Sequence, residues 1–162
     1  FLYEEKYDIT LVLEQIDGEL LKNVNSNIKI IEYHSNNNKI KIIKPKDARR
    51  FFNENCLYGY VNSSINIGVI YEERIISLMS FCKTRFNKKY EWELTRLCQA
   101  IDCNVILAYQ KQFQYFIDKF KPKSVLTYVD RRYNNGKIQK ELGFELTRTI
   151  KPTELVQLKG TT

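Results

Sequence analysis

The sequence predicts an α/β (α+β) fold with a mixed central β-sheet flanked by helices. Between residues 39 and about 158, the predicted elements follow the order β–α–β–β–β–α–β–α–β. Three consecutive strands precede two strand–helix–strand units, and that order is typical of a mixed sheet with helices on its faces. A hydrophobic content of 43% with 13% aromatic residues indicates a chain that buries a core.

The first predicted elements surround an asparagine-rich loop. Two β-branched runs, 28–33 and 39–44, lie on either side of Ser-Asn-Asn-Asn and predict a hairpin. Pro45 ends the second strand, and Asp47 is the predicted N-cap of a helix. The apolar face of that helix contains Ala48, Phe51 and Phe52.

The middle of the chain predicts three strands and a long helix. Strands at 67–71 and 75–81 flank a turn at 72–74, and alternation within "EWELTRLCQ" (91–99) predicts a third strand. The helix covers "YQKQFQYFIDKFK" (109–121) and ends before Pro122. Its apolar residues recur at helical spacing: Tyr109, Phe113, Phe116, Ile117 and Phe120.

Three shorter elements complete the predicted order. "SVLTYVD" (124–130) predicts a buried strand, and "NGKIQKELG" (135–143) predicts a short helix capped by Gly143. "FELTRTI" (144–150) then predicts a final strand.

The charge divides the chain into two parts. Residues 1–32 contain three Lys against seven Asp and Glu, whereas residues 33–162 contain 23 Lys and Arg against 12 Asp and Glu. We therefore expect an acidic N-terminal segment, 1–32, followed by a basic domain, 33–162. A basic surplus of this size favours a polyanionic partner such as DNA.

Composition also argues against several classes of protein. No apolar run approaches the roughly 20 residues of a membrane helix, so no membrane partner is expected. The first residues, "FLYEEKYD", are acidic, unlike a signal peptide, and the four Cys form no disulfide framework. These features favour a cytoplasmic protein. With a single His and no Cys-x-x-Cys spacing, no metal site is expected.

The segment "NGKIQKELGF" (135–144) resembles the late helix and Leu-Gly-Phe of the GNAT (N-acetyltransferase-like) family, and most of 39–158 follows the element order of that fold. A narrower resemblance covers 59–98 and 115–144. These stretches look like the C-terminal domain of phage-borne homing-endonuclease-like proteins, with spacing similar to that of the phage Mom DNA-modification proteins. The resemblance implies a host cell of a phage or mobile element, and a nuclease domain whose tail is the acidic segment.

In GNAT proteins, a glycine-rich loop before a helix binds the pyrophosphate of acetyl-CoA. The corresponding stretch of this chain, 97–111, contains no glycine. Since close backbone approach to phosphate needs small residues, we expect no cofactor. Acetyl-CoA or a related thioester is expected only if the chain is a transferase.

Two positions carry candidate catalytic groups. Glu93 and Arg96 lie on the strand 91–99, while Asp130 and Tyr133 follow the strand 124–130, where open sheets place ligands. These four could line one cleft between splayed strands, with Tyr60 and Tyr133 at its mouth. The alternatives are an ordinary ion pair between Glu93 and Arg96, and a loop carboxylate at Asp130 that caps "RRYNN" or pairs with an arginine.

Two loops interleave basic and aromatic residues, "KTRFNKKYEW" and "DRRYNNGK". Lys and Arg neutralise phosphates, and exposed rings stack on bases. The alternative is a pair of solvated loops. The predicted DNA-binding residues are Lys83, Arg85, Lys88, Lys89, Arg131, Arg132, Tyr133 and Lys137.

Three functional hypotheses follow. The first is a DNA-binding accessory domain of a phage or mobile-element endonuclease-like protein, non-catalytic by itself. The second is an acyl or carbamoyl transferase of the Mom kind. The third is a scaffold for protein interaction.

Overall fold

The structure is a computed structural model that describes residues 39–150 and the backbone of two earlier strands. The described strands are β1 (Thr10–Leu13), β2 (Lys29–Glu32), β3 (Lys39–Ile42), β4 (Ile65–Tyr71), β5 (Arg74–Lys83), β6 (Trp92–Gln99), β7 (Cys103–Val105) and β8 (Val125–Thr127). The helices are α1 (Pro45–Asn55), α2 (Ala108–Phe120) and α3 (Lys137–Glu141). This is a mixed α+β architecture, and the predicted fold class is confirmed.

The main sheet has five strands in the order β3-β4-β5-β6-β8. Its first four strands pair antiparallel, while β6 and β8 pair parallel. A second, parallel sheet has the order β2-β1-β7. The predicted division of the chain at residue 32 stays a prediction.

The hairpin predicted from 28–33 and 39–44 is wrong. Strand β2 pairs with β1, whereas β3 pairs with β4 in the other sheet, with Ile40 opposite Val69. The loop sequence alone predicts a hairpin, but all four residues of β3 pair antiparallel with β4, and this long-range pairing decides the position of the strand. The Asn loop itself lies outside the described residues.

Helix α1 begins two residues earlier than Asp47. Pro45 occupies the first helical position, where its missing N–H is no loss, and Lys44 is the N-cap with no side-chain hydrogen bond. The prediction that Asp47 is the N-cap is therefore wrong, and its carboxylate instead lies in the first turn, 3.5 Å from Arg50. The predicted buried face, Ala48, Phe51 and Phe52, is confirmed.

Helix α2 provides most of the core on one face of the sheet. Phe116 is fully buried, with its ring stacked on Phe81 and edge-on to Trp92. Phe113 and Phe120 flank it and are partly buried. The predicted helix and its apolar stripe are confirmed, and α2 ends at Phe120 with Lys121 in the left-handed conformation.

The end of the described chain differs from its prediction. Strand β8 is short and half-buried, because it lies at the edge of the sheet. Helix α3 ends at Glu141 and is capped by Gly143 as predicted. The Gly143 N–H donates to the Lys140 carbonyl and the Phe144 N–H to the Gln139 carbonyl, which is a Schellman cap. The strand predicted at 144–150 is wrong. Those residues form no ladder, and Leu146 is 85% exposed.

Within the residues that the structure describes, no helix combines the length and apolar character needed to span a membrane.

Candidate functional site

Strands β6 and β8 stop pairing after residue 94, and we call the region beyond that point, between the two strands, the cleft. The two strands pair from Trp92 opposite Val125 to Leu94 opposite Thr127, and the Thr127 hydroxyl donates a last hydrogen bond to the Leu94 carbonyl at 3.1 Å. Beyond that point β6 continues from residue 95 to 99 beside β5 alone. On the side away from β5, this half of β6 has no strand partner among the described residues, and we call it the open edge of β6.

A β-bulge lies at the point of separation. Phe81 is opposite Leu94 but Ser80 is opposite Arg96, so Thr95 is the extra residue. The Thr95 hydroxyl donates to the Ser80 carbonyl at 3.0 Å and shares a 2.8 Å hydrogen bond with Ser63. Because the bulge resets the alternation of β6, Arg96 and Cys98 both contact residues at the end of α1 and in the loop after it.

Arg96 is fixed by backbone carbonyls at the inner wall of the cleft. Its Nε donates to the Gly59 carbonyl at 3.1 Å, and its Nη1 donates to the Thr95 carbonyl at 2.9 Å. The guanidinium carbon lies 5.8 Å from the centre of the Tyr58 ring. Arg96 therefore presents a positive charge over an aromatic face.

Asp130 lies across the cleft and forms a network with two neighbours. Arg132 donates from Nη2 to Oδ2 at 2.6 Å and from Nε to Oδ1 at 3.1 Å, and Tyr58 donates its phenolic proton to Oδ2 at 2.5 Å. The Tyr133 ring lies edge-on to Tyr58, with 6.3 Å between ring centres. Arg96, Asp130 and Tyr133 are thus brought together, but through Tyr58.

The network fixes the ionisation of its members. The hydrogen bonds from Arg132, and then from Tyr58, hold the pKa of Asp130 well below its usual range. The bond to Asp130 raises the pKa of the Tyr58 phenol. Asp130 is therefore a carboxylate at neutral pH and a weak proton acceptor, so it orients groups rather than acting as a general base. Asp130 both accepts the Arg132 backbone N–H at 3.0 Å and pairs with the Arg132 guanidinium, and its role in catalysis stays a prediction.

Two other predicted site residues lie elsewhere. Glu93 is buried and accepts a 3.3 Å bond from Arg85, so it does not pair with Arg96. The Tyr60 ring packs against Phe52 and under Arg49, beside a shallow hollow of about 340 Å³. Neither residue joins the Tyr58–Asp130 network.

The predicted DNA-binding residues fall into two separate places. The loop 84–91 lies at the start of β6, where the Glu91 N–H bonds to Ser124 just before β8. The loop 128–137 follows the other end of β8, so the two loops do not form one surface. Several of their charges pair with carboxylates: Lys83 with Glu91, Arg85 with Glu93, Arg132 with Asp130 and Lys137 with Glu141. Their role in binding stays a prediction.

No pattern in the sequence predicted the central place of Tyr58 in this network. Tyr58 lies in a short loop between α1 and β4, without a motif or period that singles it out. The one available signal was the aromatic pair in "LYGY" beside a glycine, and Gly59 does adopt a positive φ of 59°.

The loop before α2 contains no glycine but keeps one feature of a phosphate cradle. Leu107, the N-cap of α2, has a left-handed backbone with φ of 61°, and the helix begins with no side-chain cap and no acidic residue in its first turn. Gln99 holds the loop by two 2.8 Å bonds to the backbone of Val105. These features fit an anion at the positive end of α2, although Leu107 carries a large side chain at a position where close approach of a phosphate favours a small residue.

Comparison with known proteins supports the fold. A GNAT-family acetyltransferase from Streptococcus pneumoniae superposes with a TM-score of 0.53, over 76% of this chain and 99% of that chain, at 13% sequence identity. No family model and no curated protein matches the sequence. The likeness shows a GNAT-like fold, which confirms the broader resemblance. It gives no support to the narrower resemblance to phage proteins, which stays a prediction.

Proposed function

We propose that this chain is an acyltransferase-type protein that binds an acyl-CoA thioester, with acetyl-CoA as the first candidate, between β6 and β8. The observation that carries the proposal is the open edge of β6 beyond Leu94, within a GNAT-like fold. The similar solved structure is described as an acetyltransferase, which supports the choice of acyl group.

Two described features suit the two halves of such a ligand. An open strand edge can hydrogen-bond an extended arm that carries amide groups. The uncapped start of α2 suits a pyrophosphate, because its first N–H groups and the helix dipole both favour an anion. Coenzyme A carries both an amide-containing arm and a pyrophosphate, and when bound it supplies a thioester from which an amine can take the acyl group.

The Tyr58–Asp130 network would help to bind the acceptor, which is the molecule whose amine takes the acyl group. Around Tyr58, Arg96 on one wall and Arg132 on the other give the cleft two cations against the one carboxylate of Asp130. We therefore expect an acceptor that bears an anionic group near its reacting amine. Asp130 keeps Tyr58 and Arg132 oriented, while removal of the amine proton falls to solvent or to a group on the acceptor.

Calorimetry with acetyl-CoA tests the proposal. Because residues 97–111 lack glycine, binding by the wild type should be weak. Leu107→Gly should tighten binding severalfold, because it removes the side chain while keeping a backbone conformation that glycine favours. Gln110→Glu should weaken binding by placing a negative charge in the first turn of α2, without loss of stability.

A matched control for Gln110→Glu lies one turn along the same helix. Gln114→Glu adds the same charge farther from the helix start; it removes the 2.8 Å bond from Gln114 to Asp118 but should leave acetyl-CoA affinity unchanged. If neither the wild type nor Leu107→Gly binds acetyl-CoA, the transferase proposal is wrong. Equal effects of the two Glu substitutions would instead point to general charge repulsion.

We propose DNA association as the second candidate, and a surplus of positive charge favours it. Residues 39–150 contain 21 Lys and Arg against 11 Asp and Glu. Six of the basic residues fall in the short stretch from β3 into α1: Lys39, Lys41, Lys44, Lys46, Arg49 and Arg50. This stretch is denser in charge than either predicted loop, and a nuclease domain of the same parent protein would be the associated partner under this candidate.

Duplex binding over a salt titration tests the second candidate and locates the surface. In a plot of the logarithm of the binding constant against the logarithm of the salt concentration, the slope becomes shallower by about 0.9 for each lost phosphate contact. The three double variants to compare are Lys88→Ala with Lys89→Ala, Lys44→Ala with Lys46→Ala, and, as the control, Lys119→Ala with Lys121→Ala. A slope shallower by about 2 units in the first or second pair alone would locate the site, whereas equal effects in all three would show that charge alone explains binding.

A further inference from the structure

Two cysteines meet at the back of the cleft. Cys56 is the C-cap residue of α1, with its N–H bonded to the Phe52 carbonyl, and Cys98 lies on β6. The Cys98 thiol donates to the backbone carbonyl of Asn55 at 2.9 Å, and Asn55 is the residue directly before Cys56, so the two cysteines are neighbours in space. Both side chains are partly exposed and pack against the cluster around Phe52 and Leu78. Neither residue is used in the proposed acyl transfer.

The surroundings of the two thiols differ. The Cys56 side chain lies near the Cys98 thiol, the loop residue Tyr58 and the charge of Arg96, while its backbone carbonyl accepts the Gly59 N–H at 2.9 Å. These groups lower the pKa of Cys56 to about 6, with the Cys98 hydrogen bond the largest cause. The same bond, with burial, raises the pKa of Cys98. At neutral pH the pair therefore consists of one thiolate and one thiol.

We propose that Cys56 and Cys98 form a hydroperoxide-reactive pair that closes to a reversible disulfide. The Cys56 thiolate attacks one oxygen of the hydroperoxide, an S–O bond forms as the O–O bond breaks, and the leaving alkoxide takes a proton from solvent. Cys98 then attacks the Cys56 sulfenic acid, and its proton leaves with the hydroxyl group as water. Overall, two thiols lose two electrons, and the hydroperoxide becomes an alcohol and water.

The disulfide would act on the cleft directly. Cys56 lies two residues before Tyr58, and Cys98 lies two residues after Arg96. A covalent link between them would tie the end of α1 to the open half of β6. Oxidation should therefore change the position of Tyr58 relative to Asp130, whatever ligand the cleft binds.

The other two cysteines provide internal controls. Cys82 is buried, and burial raises its pKa. Burial also raises the pKa of Cys103, followed by the charge of Asp102. The proposal therefore predicts reaction at Cys56 ahead of both, by a factor of at least about three, since a lower pKa increases the thiolate fraction but reduces the nucleophilicity of each thiolate.

The experiment treats the reduced full chain with hydrogen peroxide and identifies the remaining thiols by alkylation and peptide mass spectrometry. The wild type and Cys82→Ser should both lose two thiols, form the Cys56–Cys98 cross-link and recover both with dithiothreitol. Cys98→Ser should instead accumulate a Cys56 sulfenic acid that dimedone traps. Cys56→Ser should lose no thiol on the same timescale.

Two further measurements test whether the variants are folded and whether Cys56 has the expected pKa. Circular dichroism checks that each variant is folded, and the alkylation rate of Cys56 in the wild type should reach half its maximum near pH 6. Reaction of Cys82 or Cys103 as fast as Cys56, or cross-links only between chains, would overturn the proposal. So would an unchanged rate for Cys56 when the chain is unfolded in urea.

Discussion

The phenol of Tyr58 donates a 2.5 Å hydrogen bond to the carboxylate of Asp130, 72 positions later in the chain. Tyr58 lies in the loop after α1, and Asp130 lies in the loop after β8. The bond thus connects the two walls of the cleft that opens where β6 and β8 separate. Arg132 donates to both oxygens of the same carboxylate, so Tyr58 and Arg132 share one acceptor.

Asp130→Asn should reduce the acid sensitivity of folding. Arg132 and Tyr58 hold the pKa of Asp130 well below the unfolded value of about 3.9. The folded state therefore favours the carboxylate, and its stabilising contribution is complete above about pH 5 and declines as the pH falls through and below 3.9. Urea unfolding should show that, between pH 7 and pH 3, the free energy of unfolding decreases more for the wild type than for Asp130→Asn.

The control for Asp130 is Asp118→Asn, on an exposed part of α2. It should leave the difference between pH 7 and pH 3 close to that of the wild type. If Asp130→Asn and Asp118→Asn change this difference equally, the network around Tyr58 does not contribute to the pH dependence of folding.

Phe116→Ala should lower the free energy of unfolding by about 3–5 kcal/mol. The side chain is fully buried, stacked on Phe81 with 3.7 Å between ring centres and edge-on to Trp92. Its removal leaves a cavity between α2 and the sheet. Chemical denaturation measures the loss, and Phe86→Ala, at a ring that is 82% exposed, should change stability by less than about 0.5 kcal/mol.

Gly68→Ala should destabilise the protein by about 1–3 kcal/mol. A Cβ at Gly68 would lie 2.6 Å from Cγ1 and 2.9 Å from Cδ1 of Ile43, a buried side chain with little room to move. Ile43→Ala removes both atoms, so the double variant should lose less than the sum of the two single variants. Additive losses in denaturant unfolding would show that the Ile43 contact is not the cause.

The β4–β5 turn should accept a stabilising substitution. Glu72 and Glu73 have φ of 45° and 61°, and Tyr71 pairs with Arg74, as in a two-residue type I′ turn. Each left-handed non-glycine residue costs about 1 kcal/mol, and the two adjacent negative charges repel. Replacing the pair with Asn-Gly should raise the midpoint of thermal unfolding, and a lower midpoint would contradict the turn assignment.

Much of the fold could be predicted from local sequence because local spacing decides it. The apolar period of 109–120 determines α2, the alternation in 91–99 determines β6, and Leu-Gly-Phe determines the end of α3. In each case the relevant interactions join residues a few positions apart. Pro45 and Pro122 also have local effects, since proline restricts the backbone wherever it occurs: one lies at the start of α1 and the other just after the end of α2.

The tertiary structure alone decided which residues form the candidate site. Alternation in the sequence does not reveal the bulge at Thr95, which turns Arg96 toward Gly59 and leaves Glu93 to pair with Arg85. Nor does it show that β3 pairs with β4 rather than with β2, or that 144–150 forms no ladder. Tyr58 and Asp130 meet because two loops converge at one end of the sheet. Contacts of this kind depend on the summed geometry of all the elements between them, and no local period in the sequence records that geometry.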